Sequence, residues 1–201
     1  TNTDSIELIL QATEEAGYEA GTEVKISLDV AASELFDDES YNFKSESKKF
    51  SSNELIDYYS SVIKKYPILS IEDGLDENDW DGWSHMQSLI GNKVLLVGDD
   101  LLVTNTKYIQ KAIDERACNA VLIKPNQIGT LTETIEAVQL ANSNGLTTIM
   151  SHRSGETEDT TIADLAVGLG CKYIKSGSLS RSERLAKYNQ LLRIEELLKK
   201  S

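Results

Sequence analysis

The sequence predicts an α/β fold built on a parallel β-sheet, and three observations support that prediction. Short apolar segments rich in Ile, Val and Leu recur along the chain, and most do not alternate with polar residues, which is typical of strands covered on both faces. Segments with helical spacing separate them, and most begin near a Ser, Asp, Asn or Thr that can cap a helix. Each helical segment is long enough to return the chain to a parallel neighbour.

The first half of the chain contains three predicted strands. A helical segment, "DSIELILQATEEAGY", precedes the first strand, "VKISLD". The acidic stretch "ASELFDDESYNFKSESKKFSS" follows without any periodicity, so we expect a long surface excursion with a small strand around Tyr41–Lys44. The remaining elements are the helix "SNELIDYYSSVIKKY", the strand "ILSIED", the helix "ENDWDGWSHMQSLIG" and the strand "KVLLVGDD".

The second half repeats the alternation without an excursion. Its predicted strands are "NAVLIK", "TTIMSHR" and "KYIKSG". Its predicted helices are "NTKYIQKAIDERA", "TLTETIEAVQLANSNG", "EDTTIADLAVGLG" and "RSERLAKYNQLLRIEELLKK". Gly or Asn closes several of these helices, as expected at a helix carboxyl end.

Ionisable residues end all six predicted strands. In chain order they are Asp29, Glu72 with Asp73, Asp99 with Asp100, Lys124, His152 with Arg153 and Ser154, and Lys175 with Ser176. An open doubly wound sheet would use only the strand ends beside its switch point, whereas a closed barrel directs all of its strand ends to one axis. The sequence therefore predicts a (β/α)8 TIM-type barrel, with about six of the eight strands in this chain. The other two strands are either disguised or belong to a larger protein.

Three carboxylates form the candidate metal site. Asp29, Glu72 and Asp99 end successive strands, and they would repel one another unless a cation lay among them. Oxygen ligands without His or Cys suit a hard ion such as Mg²⁺. The alternative is that each carboxylate caps the helix that follows it. We interpret the helical His85 as a surface or half-buried histidine. We interpret the neighbouring acidic residues as caps or solvated groups; they are Asp73, Asp76, Asp79 and Asp100.

Basic and hydroxyl side chains at the later strand ends suit an anionic substrate. Arg153 can hold a phosphate with its planar guanidinium, and Ser154 adds a hydroxyl or backbone donor. Next to a metal ion and a second lysine, Lys175, the ammonium form of Lys124 would be disfavoured, which is what a lysine needs to act as a base. The alternative for Lys124 is an ordinary strand end whose long side chain reaches water.

The charge balance narrows the expected partners. The 201 residues carry 33 acidic and 20 basic side chains, a formal charge of −13, so binding to nucleic acid or to an anionic membrane is disfavoured. No apolar run approaches the ~20 residues of a membrane span, and the start of the chain lacks the pattern of a signal peptide. We therefore expect a soluble, cytoplasmic protein.

Several stretches resemble the enolase family. They are "SLDVAASEL", "SIEDGLDENDWDGW", "LLVGDDLLVTN", "LIKPNQIGTLTETI", "MSHRSGETEDTTIADLAVG" and "RSERLAKYNQLLRIEE", in the family's order. The resemblance implies the Mg²⁺-dependent dehydration of 2-phosphoglycerate to phosphoenolpyruvate in glycolysis, and a homodimer for the complete enzyme. The sequence departs from the family pattern at Gly74, at Gly98 and in "GSLSR" at Gly177–Arg181, none of which is assigned a chemical role.

The resemblance also implies the roles of individual residues. Asp29, Glu72 and Asp99 match the magnesium ligands, and Lys124 matches the base that removes the proton from carbon 2. The residues matching substrate contacts are His152, Arg153, Ser154 and Lys175, of which Arg153 and Ser154 match the phosphate-binding pair and Lys175 the lysine at the substrate carboxylate.

The resemblance further implies that residues 1–201 are the carboxyl-terminal part of the catalytic barrel. By that implication the amino-terminal domain and the first barrel strands are absent, and with them the glutamate that acts as general acid. We therefore expect the chain to be inactive alone. The resemblance also implies a different possibility, a non-catalytic binding module that binds plasminogen through Lys199 and Lys200, although a solvated helix end explains those two lysines as well.

Overall fold

The computed structural model describes residues 2–200, which group into two compact units. The first unit comprises the chain up to Leu101 together with Glu115–Asn119, and the second comprises Leu102–Asp114 and the chain from Ala120 onward. No helix among the described residues is long and apolar enough to cross a membrane.

The first unit contains a three-stranded parallel sheet. Its elements are α1 (Asn2–Glu15), β1 (Ile26–Asp29), β2 (Phe36–Asp37), β3 (Ser40–Phe43), β4 (Lys48–Phe50), α2 (Ser52–Lys65), β5 (Ile68–Glu72), α3 (Trp80–Ile90) and β6 (Leu95–Gly98). Strand β5 lies between β1 and β6 and pairs with both in parallel. The sheet is apolar where it is covered, since Ile71 and Leu96 are fully buried.

Local signals in the sequence explain where α2 and α3 begin. Ser51 accepts a hydrogen bond from the Glu54 amide while the Glu54 carboxylate accepts one from the Ser51 amide, a reciprocal capping box at the start of α2. Asp79 caps α3 by accepting a hydrogen bond of 3.0 Å from the Gly82 amide. The interpretation of Asp79 as a cap is therefore confirmed, and His85 lies exposed on α3.

The predicted surface excursion is a folded subdomain. Strands β2, β3 and β4 form an antiparallel sheet, of which sequence analysis predicted only the strand at Tyr41–Lys44. Tyr41 and Phe43 on β3 are buried, although the stretch around them is polar and acidic. The Tyr41 hydroxyl accepts a 2.9 Å hydrogen bond from the Asp76 amide and donates to Asp79 at 3.3 Å. This small sheet is thereby fixed to the turn that precedes α3.

The second unit contains another three-stranded parallel sheet. Its elements are α4 (Thr106–Glu115, whose last residue groups with the first unit), β7 (Ala120–Ile123), α5 (Pro125–Ile128), α6 (Leu131–Ser143), β8 (Thr147–Ser151), α7 (Thr161–Gly168), β9 (Tyr173–Lys175) and α8 (Ser182–Leu198). Strand β8 lies between β7 and β9 and pairs with both in parallel. All four residues of β7 are buried, as its uninterrupted apolar sequence predicted.

The fold class predicted from the sequence is confirmed. All six predicted parallel strands are present, three in each unit, and helices connect them. The short helix α5 was not predicted. It begins with Pro125 at its first position, where the missing N–H costs nothing, and it is followed by the cap residue Gly129, whose φ of 110° favours glycine.

Candidate active site

The predicted site residues fall into two groups, one in each unit. The first unit holds Asp29, Glu72, Asp73, Asp99 and Asp100, which we call the acidic group. The second holds Lys124, His152, Arg153, Ser154 and Lys175, which we call the cationic group. Every member lies at or just beyond the carboxyl end of a parallel strand.

Strand register pairs two of the three predicted metal ligands. Asp29 on β1 lies directly opposite Glu72 on β5, and Glu72 lies opposite Val97 on β6. Residues opposite each other in a parallel pair project to the same face, and residues two apart on a strand also share a face. Asp99 lies one residue beyond the end of β6 and is therefore outside this register. Glu72 and Asp99 are buried, whereas Asp29 is exposed.

Asp73 holds the turn that follows β6. One of its carboxylate oxygens accepts a hydrogen bond from the Asp99 amide and the other from the Asp100 amide, both at 2.9 Å. Its own backbone has a φ of 44°, a left-handed conformation that is unusual for a residue other than glycine. Asp73 was interpreted from the sequence as a cap or a solvated group, but it is buried and fixes the backbone on which Asp99 stands.

The acidic group has the chemistry of a site for a hard cation. Carboxylate oxygens of Asp73, Asp99 and Asp100 all lie within 4.8 Å of one another. Burial raises the pKa of Asp73 to about 7; the two amide donors oppose that rise, and the charges of Asp99 and Asp100 add to it. A cation among these oxygens would relieve the repulsion. Oxygen ligands alone fit Mg²⁺. Of the three ligands predicted from the sequence, Asp29, Glu72 and Asp99, only Asp99 belongs to this cluster.

A cavity of about 660 Å³ opens beside β1 in the first unit. Asp29 lines it together with apolar and aromatic side chains that include Leu28, Phe43 and Tyr59. Asp29 is therefore accessible from this cavity, unlike the buried Glu72.

Strand register also aligns the cationic group. Ile123 on β7 lies opposite Met150 on β8, and Ser151 lies opposite Lys175 on β9. Lys124 follows Ile123 directly, and the His152 amide donates to the Lys175 carbonyl at 2.9 Å. Three basic side chains thus leave adjacent strand ends, which is the arrangement predicted from the sequence.

Thr104 fixes the backbone of Lys124. The Lys124 amide donates to the Thr104 hydroxyl at 2.9 Å, and Thr104 is fully buried with a φ of 56°. Its hydroxyl lies 3.3 Å from the Leu122 carbonyl, to which it donates. Sequence reasoning missed Thr104, because its role depends on a contact between segments 20 residues apart.

The segment after β8, residues 152–157, is held by side chains from two other parts of the second unit. The Arg153 guanidinium donates to the Asn126 side chain at 3.2 Å, and its amide donates to Glu156 at 3.0 Å. Lys187 on α8, 1% exposed, forms an ion pair of 2.8 Å with Glu156 and donates to the Thr157 carbonyl. The backbone that carries Arg153 and Ser154 is therefore fixed by contacts on both sides.

Helix α8 supplies a second buried cation to the same segment. Arg184 donates to the Arg153 carbonyl at 2.8 Å and to the Ser154 carbonyl at 2.9 Å, and it contacts the His152 ring. Arg184 and Lys187 were missed from the sequence, although both stand three residues apart in a helical pattern, on what looked like an ordinary charged face. Their burial is what distinguishes them.

The carboxyl-terminal lysines do not form a distinctive site. Lys199 stands at the end of α8 and forms an ion pair of 2.8 Å with Glu195 one turn earlier, as charged residues on a solvated helix do. This contact favours the helix-end interpretation over a plasminogen-binding one.

Parallel strands alternating with helices, with carboxylates at some strand ends and cations at others, define an α/β domain of the barrel-enzyme type. Comparison with known proteins agrees. The family described as "Enolase, C-terminal TIM barrel domain" matches residues 1–201, and an enolase from Legionella pneumophila (strain Lens) is 58% identical over 197 residues, 98% of this chain. The chain belongs to the enolase C-terminal TIM barrel family. It spans 47% of the length of that relative.

Proposed function

We propose that this chain carries the metal ligands and the substrate-binding residues of an enolase, which dehydrates 2-phosphoglycerate to phosphoenolpyruvate. The observation that supports this most directly is that every proposed site residue stands at the carboxyl end of a parallel strand, in a chain of the enolase family. The similarity to the Legionella enolase supports the same substrate. We propose a cytoplasmic homodimer for the complete enzyme.

The cationic group would bind and activate the substrate. Lys124, whose backbone Thr104 fixes, would remove the proton from carbon 2. Lys175 would pair with the substrate carboxylate, and Arg153 with Ser154 would hold the phosphate. The anchoring of this segment by Glu156, Lys187 and Arg184 would keep the phosphate donors in one orientation.

The acidic group would hold the metal. Asp29, Glu72 and Asp99 are the proposed Mg²⁺ ligands, and Asp73 would position Asp99 through the backbone amide it binds. Bound Mg²⁺ would supply positive charge that stabilises the negative charge left on the substrate when its proton is removed. The resemblance assigns the general acid to a glutamate that has no match in these 201 residues, so we propose that the chain alone does not turn over the substrate.

A chimera tests the proposed function. This chain would replace the matched 197 residues of the Legionella enolase, and phosphoenolpyruvate formation from 2-phosphoglycerate would be followed by absorbance with Mg²⁺ present. We expect turnover by the chimera and none by the 201-residue chain. A chimera with a native circular dichroism spectrum but without turnover contradicts the proposal, and robust turnover by the chain alone contradicts the assignment of the acid.

A further inference from the structure

Arg184 is buried at the amino end of α8 and faces the segment that carries His152. It is 7% exposed, and its guanidinium donates to two backbone carbonyls of that segment, those of Arg153 and Ser154. The same Nη1 atom that binds the Arg153 carbonyl also contacts Nδ1 of the His152 ring.

The chemistry of this contact fixes the protonation of the ring. A guanidinium carries five N–H donors and no acceptor, and it stays charged in proteins. The His152 nitrogen that faces it must therefore be the acceptor, which means that Nδ1 carries no proton. A neutral imidazole with Nδ1 unprotonated has its single proton on Nε2.

We propose that Arg184 is a positioning residue that holds His152 as the neutral imidazole protonated on Nε2. This inference deepens the proposed function, and its consequence for the site rests on that function, because His152 is a substrate contact there. In this form His152 offers a substrate oxygen one hydrogen-bond donor at Nε2. It presents no free nitrogen to accept a proton, so it does not compete with Lys124 as a base.

The surrounding charges favour the same state. Burial lowers the pKa of His152 most, followed by the positive charges of Arg184 and Lys175, with a smaller effect from Lys124. Glu156 acts in the opposite direction. The Nε atom of Arg184 lies 3.6 Å from the Glu183 carboxylate, which balances the charge of the buried guanidinium.

The backbone around Arg184 is shaped to hold the guanidinium in place. Gly177, which follows β9, has a φ of 90°, and a Cβ atom there would lie 2.9 Å from Cδ of Arg184. The Tyr188 hydroxyl donates to the Gly177 carbonyl from the next turn of α8. A side chain at Gly177 would therefore push the Arg184 stem away from the His152 ring.

The test is ¹⁵N NMR of the full chain labelled only at histidine. The chain has two histidines, so His85, exposed on α3, is an internal reference. At about pH 6.5, the ordinary pKa of histidine, we expect His152 to show one unprotonated ring nitrogen, Nδ1, and one protonated nitrogen, Nε2.

Matched variants separate positioning from general stability. Arg184→Gln should let His152 exchange between tautomers and titrate at a higher pH, and Arg184→Lys, which keeps a donor-only cation, should restore part of the wild-type pattern. Arg193→Gln, on the exposed part of the same helix, should change nothing at His152. Gly177→Ala should reproduce the Arg184→Gln spectrum in a second way.

Two results would overturn the inference. One is a wild-type His152 that is doubly protonated, or protonated on Nδ1, at about pH 6.5. The other is a folded Arg184→Gln or Gly177→Ala variant with an unchanged His152 spectrum. Because the spectra are recorded without substrate or metal, an inactive chimera would contradict the proposed function and leave this inference standing.

Discussion

Asp99 combines burial, a position beyond a strand end and a backbone held by another carboxylate. We expect Asp99→Asn to weaken Mg²⁺ binding at least about 10-fold, the scale on which even an outer partner of a metal ligand contributes. The substitution keeps the size and one oxygen of the side chain but removes its charge. Isothermal titration calorimetry with MgCl₂ measures the change.

Asp79→Asn is the matched control for the metal site. Asn also accepts a hydrogen bond at a helix start, so α3 should stay capped and Mg²⁺ binding should be nearly unchanged. An equal loss of affinity in both variants would show that the metal responds to diffuse negative charge. That result would contradict the proposal that Asp99 is a specific Mg²⁺ ligand.

Lys124 is expected to remove the carbon-2 proton. In the active chimera, Lys124→Ala should abolish the exchange of that proton with deuterated solvent, because the step cannot occur without its base. Exchange is followed by NMR of 2-phosphoglycerate. Exchange at the wild-type rate would assign the proton to another residue, and Lys175 would be tested next.

The strand-end positions of Asp29, Glu72 and Lys124 could be predicted from the sequence because each residue directly ends an apolar run. Asp73 could not be assigned, because its two hydrogen bonds go to amides 26 and 27 residues away in sequence. Arg184 and Lys187 were missed for a related reason. A helical pattern shows which residues share a face, but not that a loop covers that face.

At the level of elements, Tyr41 joins the small antiparallel sheet to the start of α3. Burial raises its pKa to about 12, so the hydroxyl stays protonated and keeps its hydrogen bonds at neutral pH. We expect Tyr41→Phe to lower the free energy of unfolding by roughly 1–3 kcal/mol, because the buried Asp76 amide loses its acceptor. Urea denaturation measures it.

Tyr58→Phe is the control for the small sheet. The Tyr58 ring packs against Phe43 and Phe50, and these contacts survive removal of the hydroxyl. Tyr58→Phe should change the free energy of unfolding by less than about 0.5 kcal/mol, the usual range for a surface substitution. A loss equal to that of Tyr41→Phe would mean that the Asp76 hydrogen bond contributes nothing specific.

The contact between α8 and the segment after β8 should make the stability of the fold depend on pH. Burial alone would raise the pKa of Glu156, but hydrogen bonds from Lys187 and the Arg153 amide lower it overall. Glu156 therefore stabilises the fold above its ordinary pKa of 4.5, and this contribution is lost as the pH falls through the lowered value. Lys187→Met should lower the free energy of unfolding by up to about 3 kcal/mol at neutral pH. It should also weaken the dependence of that free energy on pH.

Urea denaturation at about pH 7 and about pH 4 measures both effects. Lys199→Met, which breaks an exposed ion pair on the same helix, should cost less than about 1 kcal/mol at either pH. Equal losses from the two lysine variants would contradict the role assigned to Lys187.

Regular elements were predicted well and irregular ones poorly. The apolar runs and capped helical segments stand out because burial and hydrogen bonding repeat along them. Strands β2 and β4 have only two and three residues, too few for a period to be detected. The hydrogen-bond partners of the buried Tyr41, at Asp76 and Asp79, lie 35 and 38 residues further along the chain. The helix α5, with four residues, is also too short for a helical period to be detected.

At the scale of the whole molecule, strands β1 and β9 each pair with a single neighbour within the described part of the chain. An open strand edge is a template for pairing with another chain, so we expect the 201-residue protein to self-associate. Size-exclusion chromatography with light scattering measures the molar mass. A strictly monomeric chain at high concentration would contradict this expectation.

Ser27 on β1 allows a sharper test of this association. The Ile26 amide donates to the Pro67 carbonyl just before β5, and the Val30 amide donates to the Glu72 carbonyl on β5, so by alternation the Ser27 amide faces the open side. Ser27→Pro should therefore reduce association without breaking the β1–β5 ladder, whereas Ser27→Ala should not. A fully associated, folded Ser27→Pro variant would place the contact elsewhere.

Because Lys187 is buried, its chemical modification can measure local opening of the structure. An amine-acylating reagent modifies exposed lysines continuously, but it reaches a lysine that is 1% exposed only during moments when the segment after β8 has detached from α8. The fraction of molecules acylated at Lys187 over time therefore counts those openings. Since the same segment presents Arg153 and Ser154, this amine reports how often the proposed phosphate-binding residues leave their place.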